Sequence, residues 1–321
     1  MDSLILILQK TLIFAIPLLI VALGGVFSER SGVINLALEG CMIFGSFIGA
    51  LLVSLMMKNS FFLQHQQFMF IIALIVSGVA GAIFSLLLSI ASIKLKSDQT
   101  ITGTAINMFA PAIFLTICLV FFSQEKLVMP DIPKYVITME KPTGTIIDVF
   151  INKVYISTYI IIAVYVILSI WLYKSKTGTH LRACGEHPQA ADSVGINVYK
   201  MRYLGVTISG FLAGLGGYAY IATSSAGTAE STIGGMGFLA LAIMIFGNWK
   251  PLGIAFGALL FGFLNCISVM YSQIPALKAL NLPMYFYNII PYSTVLVVLA
   301  FTAKRSGCPK AEGIPYDKGM R

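Results

Sequence analysis

The chain has 321 residues, 58% of them hydrophobic and only 11% charged, with a mean hydropathy of +0.89. That balance excludes a water-soluble domain. The net charge of +8 is spread over the segments between apolar runs, as membrane topology demands, and does not point to nucleic acid.

A membrane span takes about 20 apolar residues, so this length holds about eight to ten. Residues 4–27 predict a first span, interrupted by Pro17. No basic region of the signal-peptide kind precedes it, so it is expected to be retained with its N-terminus outside. The polar stretch 28–40 (SERSGVINLALEG) then opens a second span. A helix starting near Gly32 would place Asn35 and Glu39 four residues apart on one face. An ionisable group at such depth usually faces a bundle interior or a water-filled path. The alternative is that Glu39 sits at the interface, beside a helix N-terminus that tolerates its charge.

Residues 58–67 read as a short polar loop, 68–93 as a third span and 94–98 as a cytoplasmic turn. Gln99, Thr100, Gly103 and Asn107 lie along the start of a fourth span, which Pro111 would kink. These groups either line a path or bond back to their own helix. Residues 123–154 form the longest polar interval, with acidic residues and lysines in balance, which fits the outer side.

The apolar run 155–173 is followed by the strongly polar, basic interval 174–202. Its backbone cannot lie in hydrocarbon, and its excess of Lys and Arg places it on the cytoplasmic side. Within it, Pro188 suits a first helical position and Gly195 the residue just past the end, predicting a short helix that faces the cytoplasm. Residues 203–221 form a span rich in glycine, a sign of close helix contact. Residues 222–237 lack Lys and Arg and are expected outside. The run 238–246 is too short to cross alone and reads as a half-helix or broken span. Residues 247–251 return to the cytoplasm with Trp249 at the interface, 253–271 and 285–302 are the last spans, and the basic tail 303–321 is cytoplasmic. The expected fold is all-α: a polytopic transmembrane bundle of about nine spans with broken helices, forming a single domain over 1–321.

No GxxxxGK[ST] or GxSxG pattern occurs, and His65, His180 and His187 are isolated. The five cysteines form no CxxC pair and read as apolar fillers. Enzymatic chemistry in this chain is therefore not expected.

Three stretches carry a resemblance to a known family: residues 28–40, the loop 181–196 (LRACGEHPQAADSVGI) and 244–253 (MIFGNWKPLG). The chain resembles the membrane-spanning permease subunits of ABC importers, in the branch serving nucleosides, ribose-type sugars and branched-chain amino acids. The ending 309–319 (PKAEGIPYDKG) is similar to that of nucleoside permeases in particular. The resemblance implies that the loop is a coupling helix seated in a cleft of a separate ATP-binding subunit. The residues implied in that contact are Arg182, Glu186, His187, Pro188, Gln189, Ala190, Ala191, Asp192 and Gly195. The general importer signature is EAA, three residues, then Gly; here Gln189 replaces its Glu. The translocation path would use Asn35, Glu39, Gln99, Thr100, Gly103 and Asn107. The resemblance further implies no cofactor in this chain, with ATP and Mg on the ATPase. A second permease subunit and an external substrate-binding lipoprotein are implied as partners, in the plasma membrane of a prokaryote.

Overall fold

The computed structural model describes residues 2–129, 149, 152–278, 280, 282–302 and 307–319. Much of the expected outer loop and part of the tail lie outside the described residues. Helix dominates because an apolar surrounding offers the backbone no hydrogen-bond partner but itself.

The first helix, α1 (Asp2–Arg30), runs through Pro17 without the expected interruption. Packing neighbours tolerate the one hydrogen bond that proline removes. α2 (Leu38–Met56) starts six residues later than Gly32, which corrects the expected helical pairing of Asn35 with Glu39. Gly32 adopts φ +94, a left-handed turn that ends helical geometry. The Asn35 side chain then accepts the Ala37 N–H at 3.0 Å, so residues 31–37 form a non-helical lead into α2.

The polar loop contains a short helix, α3 (Ser60–Gln64). α4 (Gln66–Ser89) continues into a wider π turn at Ile90–Lys94. α5 (Gln99–Ile117) is started by Asp98, whose carboxylate accepts the N–H groups of Thr100 and Ile101 at 2.8 and 2.9 Å. It too ends in a π turn, Cys118–Phe122. α6 (Ile156–Lys174) leads into α7 (Lys176–Glu186), capped by Ser175 at the Gly178 N–H, and then α8 (Pro188–Ser193). α8 matches the expected short helix, with Gly195 at φ +87 just past its end. α7 was not expected. Its signal was there in hindsight: Gly178, Leu181 and Gly185 recur at helical spacing and form its buried side.

α9 (Val198–Thr223) is the hub, packing against α4, α1 and α2. The contact is close enough to require glycine. A Cβ at Gly214 would lie 2.2 Å from the Ser77 carbonyl of α4, and one at Gly217 2.2 Å from the Met42 carbonyl of α2. Any side chain there would drive the helices apart.

Beyond α9, a two-stranded antiparallel pair joins β1 (Leu127–Val128) to β2 (Thr228–Ala229). α10 (Met236–Phe246) is the predicted half-helix, about 16 Å long at 1.5 Å per residue. α11 (Pro251–Met270), the single turn α12 (Pro275–Lys278) and α13 (Met284–Thr302) complete the described chain. Among the described residues seven helices, taken with their π and 3₁₀ extensions, are long and apolar enough to cross a bilayer; α10 and the stretch Met284–Val298 of α13 are shorter apolar segments. The ninth expected crossing is thus not a full helix but the half-helix α10.

Candidate functional site

Two features stand out: a cavity where two helices begin half-way through the bundle, and a polar face bolted together by the C-terminal tail.

The C-terminal end of α10 joins the turn 247–250, where the Trp249 indole N–H donates to Glu29 at the end of α1. From that level α10 rises about 16 Å, roughly half of a 30 Å hydrocarbon core. Its N-terminus therefore lies near mid-depth. There it meets the start of α2: a Cβ on Gly237 would fall 2.4 Å from the Glu39 backbone nitrogen. Glu39 is 6% exposed. Its Oε1 accepts the Gly235 N–H at 3.0 Å and its Oε2 the Gly237 N–H at 2.6 Å.

Beside this junction opens a cavity of about 490 Å³ lined by Glu39, Ile43, Thr104, Asn107, Met108, Pro111, Ser231, Thr232 and Phe238. Of the six expected path residues, Glu39 and Asn107 reach its wall. The other four do different work. Asn35 is fully buried and donates to the Ser209 hydroxyl at 2.8 Å. Gln99 accepts the Ile34 N–H at 2.7 Å. Gly103 lets α5 approach the 31–37 segment, since a Cβ would lie 2.9 Å from that of Leu36. Thr100 is exposed in the first turn of α5. Asn107 has a double role, because its Nδ2 donates to Leu36 O at 2.6 Å and its Oδ1 accepts the Gly40 N–H at 2.7 Å.

Sequence reasoning missed Thr104, Met108, Ser231, Thr232 and Phe238. Thr104 and Met108 could have been found as neighbours of Asn107 on α5. Ser231 and Thr232 carry no local signal, because only the return of residues 224–235 toward α2 brings them there.

The second feature gathers segments far apart in sequence. Arg30 pairs with Glu186 at 3.2 Å, joining the end of α1 to that of α7. The tail then crosses the face: Ala311 N–H donates to Gly185 O at 2.8 Å, and Arg202 Nη1 to Ile314 O at 2.9 Å. Tyr316 packs with Cys184, Ala191 and Val198, and its ring meets that of Tyr199 edge-on at 5.2 Å. Asp317 pairs with Lys96 in the α4–α5 connection at 2.6 Å, and Lys318 with Asp192 at 3.8 Å. The Lys96 ammonium holds the Asp317 carboxyl below its ordinary range, and Asp317 raises Lys96 in return. Burial pushes the Cys184 thiol up to about 11 and raises the Glu312 carboxyl above its usual range.

The expected coupling residues divide by direction. His187, Gln189, Ala190 and Gly195 point outward, together with Val194 at 75% exposure. Pro188 and Ala191 are buried in the chain's own packing. Arg182 lies over the Tyr173 ring at 4.9 Å, while Glu186 and Asp192 are held by the ion pairs above. Among the described residues no group of His, Cys, Asp and Glu is placed to hold a metal ion.

A helical membrane bundle with interrupted helices meeting at a mid-depth cavity is the architecture of a transport permease. The family described as branched-chain amino acid transport system / permease component matches residues 7–299, and the chain belongs to it. It is 40% identical over 320 residues to the guanosine ABC transporter permease protein NupQ of Bacillus subtilis, covering 98% of this chain and 97% of that one. It is 35% identical to the nucleoside ABC transporter permease protein NupC of Lactococcus lactis, covering 99% and 98%. A further nucleoside permease protein of that organism, NupB, is 24% identical over 95% of this chain and 82% of its own length. No solved structure matches the chain.

Replacing Asn107 by Leu removes both bonds to the broken backbone at Leu36 and Gly40. Each orphaned buried group costs about 1–3 kcal/mol. Asn107→Leu should therefore lower the unfolding temperature of the purified protein, whereas Thr104→Val, on the same wall, should leave it within a degree or two of wild type at about 0.5 kcal/mol or less. Equal stability of both variants would remove Asn107 from its structural role.

The tail has its own pH signature. A carboxyl raised by burial binds its proton more tightly in the folded chain, so Glu312 stabilises the fold below its unfolded value. That stability is lost as pH rises through the folded one. Glu312→Gln should then raise the unfolding temperature at pH 8 and make no difference near pH 4. A variant no more stable than wild type at pH 8 would contradict this.

Proposed function

We propose that this chain is one of two permease subunits of an ATP-driven nucleoside importer, in the plasma membrane of a prokaryote. The N-terminus is outside, and the polar face bolted by the tail is cytoplasmic. The observation that carries the reading is the mid-depth cavity at the junction of α2 and α10. It has the volume for a nucleoside-sized solute. Thr104, Ser231 and Thr232 supply hydroxyls, and Phe238, 49% exposed, supplies a ring face for stacking a base. The near full-length likeness to guanosine and nucleoside permeases supports the same substrate class.

Thr104, Thr232 and Phe238 are exposed at the cavity mouth. Hydroxyls at mid-depth do not face lipid, so a second permease chain covers them. Two nucleoside permease proteins of one organism, both similar to this chain, support a sister subunit over a second copy. An ATP-binding subunit, carrying ATP and Mg, docks on the outward side of α8, formed by His187, Gln189, Ala190 and Val194. An external lipoprotein delivers the nucleoside from the other side. The bolted face gives the docking site mechanical reach. Glu186 holds α1 through Arg30, and the tail holds the start of α5 through Asp317 and Lys96. α5 in turn carries Thr104 and Asn107 into the cavity wall. Displacing α8 therefore moves the wall as part of one body.

Expressed with its ATP-binding and sister subunits and lipoprotein, the chain should confer uptake of labelled guanosine that stops on ATP depletion. Uptake that survives depletion with an ion gradient intact would instead mark an ion-coupled secondary transporter. Ala190→Arg should abolish uptake, by detaching the ATPase or leaving it hydrolysing without transport, because Ala190 is small and outward. Wild-type uptake with full ATPase co-purification would sink the coupling assignment.

Orientation has a separate check. Cysteine at exposed Glu125 should react with a membrane-impermeant thiol reagent in intact cells, and cysteine at exposed Gln189 should not. The reverse pattern would invert the topology.

A further inference from the structure

The N-terminus of a helix carries partial positive charge and N–H groups without intrahelical partners, and so attracts anions. α10 points such an end into a cavity half-way through the bundle. An open end of this kind would hold a phosphate or carboxylate and retain it. In this chain the position is already taken. The Glu39 carboxylate receives the Gly235 and Gly237 N–H groups at 3.0 and 2.6 Å. Gly234 and Gly235, at φ +66 and +75, curl the backbone into that position, a left-handed pair that residues with a Cβ adopt rarely. The described cavity wall contains no Lys, Arg or His to attract a second anion.

We propose that Glu39 is a specificity-determining residue. It serves as the chain's own anion at the α10 N-terminus, so the cavity admits uncharged, hydroxyl-bearing solutes and rejects anionic ones, phosphorylated nucleosides included. Each carboxylate oxygen has acceptor capacity beyond its backbone bond. Glu39 can thus accept a solute hydroxyl while its charge repels a phosphate. The substrate named here rests on the nucleoside reading above; the role of Glu39 toward anions rests on the geometry.

Two measurements separate these. In the purified complex, Glu39→Ala vacates the anion position, and acetate at the ionic strength of a chloride control should restore its unfolding temperature while leaving wild type unchanged. In proteoliposomes supplied with loaded binding protein, millimolar inorganic phosphate should inhibit labelled guanosine uptake by Glu39→Ala about tenfold, the effect of 1.4 kcal/mol of anion binding, and wild-type uptake hardly at all. Glu39→Ser also vacates the position and should show the same phosphate sensitivity if Glu39→Ala does not fold. Equal acetate response in variant and wild type, or equal phosphate inhibition, would overturn the proposal. Acetate rescue of Glu39→Ala beside a wild-type complex that moves no guanosine would uphold the anion role and overturn the nucleoside reading.

Discussion

The structure depends on one constraint: backbone interrupted inside a membrane must find its hydrogen-bond partners within the protein. Residues 31–37 and the return segment before α10 are both interruptions of this kind. Asn35, Gln99, Asn107 and Glu39 answer them, each bonding to backbone N–H or C=O groups that no helix satisfies. The polar residues at membrane depth are therefore first of all the partners of broken backbone. The cavity exists because α10 is short and α2 starts only after a non-helical lead, and those side chains make the breaks tolerable.

Close packing around α9 allows such a design to hold its shape. Lipid tails are as apolar as leucine, so helices in a membrane associate through contact instead of through exclusion of water. Glycines at Gly214 and Gly217 bring α9 onto the carbonyls of α4 and α2. α1, α2, α4 and α9 then form a frame, with α5 and α10 at its edge lining the cavity.

The polar face works differently, through weak contacts in number. An exposed pair such as Lys96 with Asp317 contributes little alone. Here the ion pairs frame buried contacts: the Tyr316 ring, the Gly185 carbonyl and the nearly inaccessible Arg202. The tail thereby joins α8, α9 and the α4–α5 connection, which makes the small surface helix part of the bundle and not a loose loop.

Much of this was legible in the residues. The apolar runs announced a helical membrane bundle, because hydrocarbon permits little else. Pro188 and Gly195 marked α8, the brevity of 238–246 marked a half-helix, and 28–40 marked a polar entry to a span. Local patterns could not reveal that α2 starts at Leu38, since that follows from Gly32 turning the chain and from partners on α5 and α9. They could not separate the outward Ala190 from the buried Ala191, which differ in which side of α8 meets Cys184, Val198 and Tyr316. Nor could they bring Ser231 and Thr232 to Glu39. Sequence determined which segments enter the membrane, because that is a property of each segment's own transfer from water. Tertiary structure decided which polar groups face a cavity and which mend the backbone, because that depends on partners 65 to 198 residues away.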